Sequence, residues 1–400
     1  MKKKYKIIAL TVFILIIIFF SLFFYNEYIN YQENYAPVVP SPVASSSVSE
    51  NMSKENKGTE VCKKLFYETL NEDEKKVYDK IYKCTAALAP KVYISTDFSG
   101  DDVFRIFVYM LNDHPEIFWC FGGGSFSSDG WLEPEYSCSK EKAKEETELI
   151  NSKAQEIIKS LYAEGDDYSK ALAVFEYISK NTAYDNDEAE KITESDDVLN
   201  YKSHSIAGVF LNSCAVCSGY SKAYQYLLEM VGISSAYISG TSLNNHHAWL
   251  VININGDNYY SDVTWGDQYE PDASSKFIDH YYFIMDRDQL LRDHKFDEIC
   301  DVFSSSSNAE NYFVKENLLF YEYDYKKILY AVKANCSKYD NDYIEIMAAD
   351  DAAYEDIVYN LIEKTEADKL MKNAIKKSCN SYIKNDEQRT LILLQKSSDK

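Results

Sequence analysis

The sequence predicts an α+β protein in which a cysteine-bearing helix packs on an antiparallel sheet, flanked by an N-terminal helical region and a small C-terminal α/β unit. Three observations carry this. Apolar residues recur at helical spacing over 168–181 and again from Tyr220 to Val231. Two alternating apolar runs, His247 to Ile254 and Asn258 to Thr264, are joined by Asn255-Gly256, the strongest short hairpin signal. The tail after Ser305 mixes strand candidates (YIEIMAA, TLILLQ) with helices. The 400 residues are 46% hydrophobic and 26% charged, a globular balance rather than a disordered one.

At the usual size of about 100–200 residues per domain, the length allows two or three domains. With 42 basic and 64 acidic residues the formal charge is −22. The first 25 residues contribute four lysines and no acid, so residues 26–400 carry 38 against 64. A surface this acidic does not track phosphates, which excludes nucleic acid as a partner.

Taken in order, residues 1–6 form a basic cytosolic stub. Ile7 to Tyr25 holds 19 residues without a charge and is expected to be a transmembrane signal-anchor helix. A cleavable signal core is shorter, about 7–15 residues, and no small-x-small site follows closely. Cys62 lies too far away for a lipoprotein. Lysines on the N-terminal flank place the N-terminus in the cytosol and the rest outside. The expectation is therefore a single-pass plasma-membrane protein, attached through its N-terminal helix, with an extracytoplasmic catalytic part.

Residues 26–60, rich in proline and serine from Ala36 onward, read as a disordered linker. Residues 61–165 form the N-terminal helical and mixed region. There Asn71 can cap a helix, Lys91 to Ile94 is a short strand candidate, and Asp101 and Asp102 open a second helix. Gly122-Gly123-Gly124 lacks the Lys-Ser/Thr of a nucleotide loop and reads as a hairpin turn. Lys140 to Tyr162 is a charged, exposed helix. The core spans 166–304. Within it the acidic stretch 185–197 lacks the central Gly and terminal Glu of a calcium loop and reads as a solvated connection. Residues 305–400, without a histidine, form a C-terminal accessory α/β region. Nine cysteines at irregular spacing do not make a disulfide scaffold, and an odd number leaves at least one thiol unpaired.

The chemistry lies between Asn212 and Asp267. From Cys217 a helix presents Tyr220, Ala223, Tyr224, Leu227, Leu228 and Val231 on one stripe and stops at Gly232. Cys217 thus sits in the first turn, where unpaired amides and the helix dipole favour a thiolate. In the hairpin, a two-residue loop pairs 254 with 257, so Asp262 opposes Trp249 and shares a face with His247. His246 points the other way. A three-residue loop would put His247 and Asp262 on opposite faces unless a bulge restored the phase. The result is a thiol, an imidazole to take its proton and a carboxylate to orient the ring.

Cys-x-Gly-Tyr at 217–220, His-Ala-Trp at 247–249 and Asp-Val-Thr-Trp at 262–265, in this order, resemble the transglutaminase-like superfamily, whose fold is akin to papain's. The likeness runs over roughly Asp166 to Asp267. It implies a papain/transglutaminase-like core with Cys217 as nucleophile, His247 as base and Asp262 as orienting carboxylate, and no cofactor or metal. It also implies a thiol enzyme acting on peptide or glutamine amides through a thioester, by transamidation or by hydrolysis. The substrate is expected to be a protein or peptide, the cell wall included. Two positions depart from the pattern: Leu250 stands where Asn is frequent, and Cys214 creates C-A-V-C.

Tyr220, Trp249 and Trp265 are candidates for substrate binding as well as for core packing. A redox reading of C-A-V-C leaves His-Ala-Trp unexplained, and adjacent His246 and His247 alternate across a strand, against zinc. His114, His204, His280 and His294 have no partner that the sequence names. The competing reading is a non-catalytic binding module for cell-wall or protein partners.

Overall fold

A computed structural model describes residues 64–161, 165–194, 200–268, 277–301, 303 and 308–395. The expected signal-anchor segment at 7–25 and the linker at 26–60 lie outside the described residues. Among the described residues no helix is long and apolar enough to cross a membrane. This corrects the expectations of a transmembrane signal anchor, of membrane attachment through an N-terminal helix and of a single-pass plasma-membrane location. Among the described residues the reason is composition: the longest described helix, Lys140–Ser160, is studded with Lys and Glu and buries only one face.

After a one-turn helix α1 (Leu65–Glu68), the chain forms α2 (Glu72–Ala86), opened by a capping box. The Asn71 side chain accepts from the Asp73 and Glu74 amides, while Glu74 returns a bond to the Asn71 amide. Helix α3 (Gly100–Asp113) follows, with its apolar face over strand β6. Strands β1 (Val92–Tyr93), β2 (Gly124–Phe126) and β3 (Trp131–Pro134) form a small antiparallel sheet. Gly122 to Gly124 leads into β2 and is not the hairpin turn. That turn is Ser127 to Gly130, closed by the Gly130 amide donating to the Ser127 carbonyl. Helix α4 (Lys140–Ser160) is less exposed than its charge suggests, because Ala143, Ile150, Ala154 and Ile157 are buried.

Helix α5 (Asp167–Asn181) packs on α7 (Cys217–Met230). In turn α7 lies on a four-stranded antiparallel sheet in the order β11-β6-β7-β8. Its strands are β6 (Ser235–Ser242), β7 (Asn245–Ile254), β8 (Asp257–Ser261) and β11 (His294–Phe296). The acidic stretch read as a solvated connection is instead partly helical, α6 (Asn186–Glu194), and it buries Glu188. Period-3.6 spacing was available there, but the run of charge masked it.

Four further strands form a second sheet, β12 (Leu319–Phe320), β13 (Ile344–Ala348), β15 (Thr390–Leu394) and β14 (Ser381–Asn385), with β12 parallel to β13. Helices α9 (Tyr325–Tyr339), α10 (Asp351–Val358) and α11 (Ala367–Ile375) accompany it. This sheet is tied to the rest by a buried ion cluster. His280 Nδ1 meets Glu345 Oε2 at 2.8 Å, its Nε2 meets Glu176 Oε1 at 3.3 Å, and its ring stacks on Tyr312 at 4.0 Å.

Candidate active site

Strand β5 (Cys214–Ala215) pairs in parallel with β4 (Ala183–Tyr184) and delivers the chain to the start of α7, where Cys217 is the first helical residue. The N-cap is Val216, which offers no side-chain acceptor, so no side chain caps the first-turn amides. Gly219 is required by close approach. A Cβ there would fall 2.4 Å from the Ser203 carbonyl oxygen and 2.8 Å from the Ala215 Cβ. The approaching segment is braced in turn: Ser218 Oγ lies 3.2 Å from His204 Nδ1, and His204 Nε2 lies 3.2 Å from Glu188 Oε1. Burial lowers the pKa of His204. The neutral ring then donates to Glu188 and accepts from the Ser218 hydroxyl.

The β7–β8 hairpin has the two-residue Asn255-Gly256 turn with both residues at positive φ, 55° and 92°. Ile254 pairs with Asp257, and the register runs to Leu250 opposite Ser261, so Asp262 follows on the face of Trp249 and His247. His246 is exposed and His247 buried, as alternation requires. Asp262 caps the short helix α8 (Val263–Gly266), its Oδ1 accepting from the Thr264 and Trp265 amides at 3.0 and 3.1 Å. Its other oxygen, Oδ2, lies 2.7 Å from His247 Nε2. The capping turn explains why Asp is followed by Val-Thr-Trp: the carboxylate is fixed by its own helix start and cannot swing.

Burial works against a charged His247 ring, yet the Asp262 carboxylate and the Cys217 side chain outweigh it and lift His247 to about 10. Burial likewise opposes the Asp262 charge, and His247 and His294 overcome it, holding the carboxyl well below its usual range. His247 is therefore an imidazolium at neutral pH, hydrogen-bonded to the Asp262 carboxylate and interacting with the Cys217 side chain.

Sequence reasoning missed His294. It opens β11, pairs across β6 opposite Ser242, and puts Nε2 3.1 Å from the same Asp262 Oδ2. No local signal points to it, because the strand pairing that delivers it spans some fifty residues. The nearest side-chain atoms of His247, Asp262 and His294 lie within 4.8 Å of one another, compact enough to suit a transition metal. Both ring nitrogens lie at hydrogen-bond distance from one carboxylate oxygen, so the cluster is complete as a hydrogen-bonded one.

His247 faces an open cleft of about 400 Å³ whose walls include Tyr184, Leu243, Thr264, Trp265 and Gln268. Of the three aromatic residues expected at the substrate, Trp265 alone lines this cleft. Tyr220 is buried and its hydroxyl donates to Asp267 Oδ2 at 2.6 Å. Trp249 is buried beneath His247, its ring edge-on to His294 at 4.8 Å. Leu250 is fully buried in the sheet, so that position has no polar role here. Cys214 and Cys217 are both free thiols.

Residues 154–265 match the family model of the Transglutaminase-like superfamily. The matched stretch contains Cys217, His247 and Asp262 and bears out the resemblance drawn from the three motifs. Among solved structures, one described as "Crystal structure of a TGase" shares 20% identity, covering 34% of this chain and 37% of its own, with a TM-score of 0.29. Another, described as a "Putative Cysteine Protease" from Cytophaga hutchinsonii, shares 18% identity, covering 29% and 37%, with a TM-score of 0.23. The chain thus spans 37% of the length of each of these two structures. No curated protein sequence matches it.

Proposed function

We propose that this protein is a cysteine-dependent enzyme acting on peptide or glutamine amides, with Cys217 as nucleophile, His247 as general acid and base, and Asp262 as the orienting carboxylate. The observation that carries this reading is the His247 ring. It is buried, 2.7 Å from a carboxylate fixed by two backbone amides, and its charge is supported by the Cys217 side chain. A binding module has no use for a held imidazolium beside a helix-N-terminal thiol.

The steps balance on these groups. The Cys217 sulfur attacks the amide carbonyl carbon, and the oxyanion is met by the amide of Cys217 itself. His247 gives its proton to the departing nitrogen as the C–N bond breaks, leaving a thioester. An amine or water then gives a proton to His247 and attacks the thioester, releasing the product and the Cys217 sulfur. An amine yields transamidation; water yields hydrolysis. The cleft, bounded by Tyr184, Leu243 and Trp265, is open enough for an extended peptide.

The test is trapping of the acyl group on Cys217 with candidate peptides, read by mass spectrometry of the Cys217 peptide. Cys217→Ala is expected to retain the fold and lose activity by several orders of magnitude. Acylation of another residue, or activity retained in Cys217→Ala, would overturn the assignment.

A further inference from the structure

We propose that His294 is a positioning residue for the Cys217 reaction: clamped between Asp262 and Asp293, it fixes the carboxylate that orients His247, and the β14–β15 hairpin completes the clamp through Gln388. The proposal rests on the roles given above to Cys217, His247 and Asp262.

The geometry is that of a closed chain. His294 is fully buried, with Nε2 3.1 Å from Asp262 Oδ2 and Nδ1 2.5 Å from Asp293 Oδ1. A neutral imidazole carries one N–H and could donate to only one of these carboxylates. Two carboxylate oxygens facing two ring nitrogens call for two N–H groups, a buried imidazolium. Burial opposes that charge, while hydrogen bonds donated to both carboxylates favour it and raise the pKa of His294. Asp262 is then saturated: Oδ1 holds two backbone amides and Oδ2 holds two imidazoles.

The far end of the clamp is equally fixed. Asp293 Oδ2 accepts from the Tyr282 hydroxyl and from Gln388 Nε2, each at 2.9 Å. Its carbonyl accepts from Ser242 Oγ at 2.9 Å, and Arg292 donates to the Glu387 carbonyl at 2.8 Å. Trp249 and Trp265 wall the His294 ring at 4.8 and 5.7 Å. A thiol, an imidazole and one carboxylate suffice for the chemistry, so a second, fully clamped imidazole needs its own account. Its hydrogen bond to that machinery is to Asp262, and its ring lies 5.4 Å from the His247 ring. The C-terminal region enters the site here, through one amide side chain on a hairpin turn.

The full chain is treated with iodoacetamide across pH, and alkylation of Cys217 is followed by mass spectrometry against the other thiols. The groups facing His294 that could shape the profile are His247, Asp262, Asp293 and Tyr282. His294→Leu is expected to slow Cys217 alkylation about 10-fold, because a loosened Asp262 lets the His247 ring wander, and to displace the pH profile. His294→Gln, which keeps an N–H donor near the Nε2 position, is expected to recover most of that rate. Gln388→Ala, on a hairpin turn, should give a smaller loss in the same direction. In nitrogen-15 histidine spectra the His294 ring of the unaltered protein should show both nitrogens protonated at neutral pH.

A Leu variant as fast as the unaltered protein, or a Gln variant no better than Leu, would show that His294 is merely structural. A neutral His294 ring would break the clamp. A Cys217 in the unaltered protein that reacts no faster than the other thiols would overturn the functional reading itself, and this proposal with it.

Discussion

His247 and His246 are neighbours in sequence with opposite fates, and the difference is one pleat of a strand. His247 faces Asp262 and is buried, while His246 is exposed at the cleft mouth. His246→Ala is therefore expected to leave Cys217 alkylation within about two-fold, the usual scale for a surface substitution. Asp262→Asn is the sharper test, since an Asn side-chain oxygen can still cap the Thr264 and Trp265 amides while the charge on His247 is lost. Its turnover should fall by about 10²–10⁴ while thermal unfolding remains cooperative. An Asp262→Asn enzyme with normal turnover would remove Asp262 from the mechanism. Cys214→Ala, measured in the same assay, should be near neutral; a loss equal to that of Cys217→Ala would favour a redox pair instead. Cys217, His247 and Asp262 were all legible in the sequence because each stands in a short motif. His294 was not, because its motif is a pairing between distant strands.

The β7–β8 hairpin shows how much one turn can decide. Asn255 and Gly256 both take positive φ, which fixes a two-residue loop, and the loop fixes the register that brings His247 and Asp262 onto one face. That geometry follows from two residues. The neighbouring strand is another matter. Gly240 in β6 lies opposite His247 and beneath the Trp249 ring, where a Cβ would fall 2.0 Å from the Lys295 carbonyl oxygen and 2.7 Å from Trp249. Gly240→Ala must push β11 outward and shift the Trp249 ring, and the movement of β11 displaces His294. The expected cost is about 1–3 kcal/mol in denaturant unfolding, with slower Cys217 alkylation. Unchanged stability would mean that β11 is not held as tightly as the pairing indicates. The acidic stretch at 185–197 is the counter-example: charge density suggested solvent, yet Glu188 is buried because it holds His204 and the Asn200 amide near the start of α7.

At the scale of the whole molecule, the buried histidines His280 and His247, with His294 beside the latter, shape the pH response above neutrality. His280 joins Glu176 of α5 to Glu345 of β13; burial opposes its charge, but the two carboxylates prevail and lift it to about 9. His247 is lifted to about 10. Both folded-state values lie above the ordinary 6.5, so each contributes stability that is full below that pH and is lost as pH rises through about 9–10. The melting temperature should therefore fall between pH 7 and 10. His280→Gln is expected to melt several degrees lower at neutral pH, with the gap to the unaltered protein narrowing toward pH 10. A gap that stays constant across this range would mean that His280 is held neutral.

By itself the sequence determined the helix that starts at Cys217, the hairpin and its register, and the three motifs that match a transglutaminase-like segment, because helical periodicity, a two-residue turn and a capping carboxylate are all local physics. Tertiary structure alone decided the rest. It buried Tyr220 and Trp249 away from the cleft, left Trp265 on its wall, brought His294 and Asp293 to Asp262 and carried Gln388 from the far end of the chain to hold them. None of those contacts has a sequence spacing. Each exists because a buried charge must find its partners wherever the packed chain supplies them.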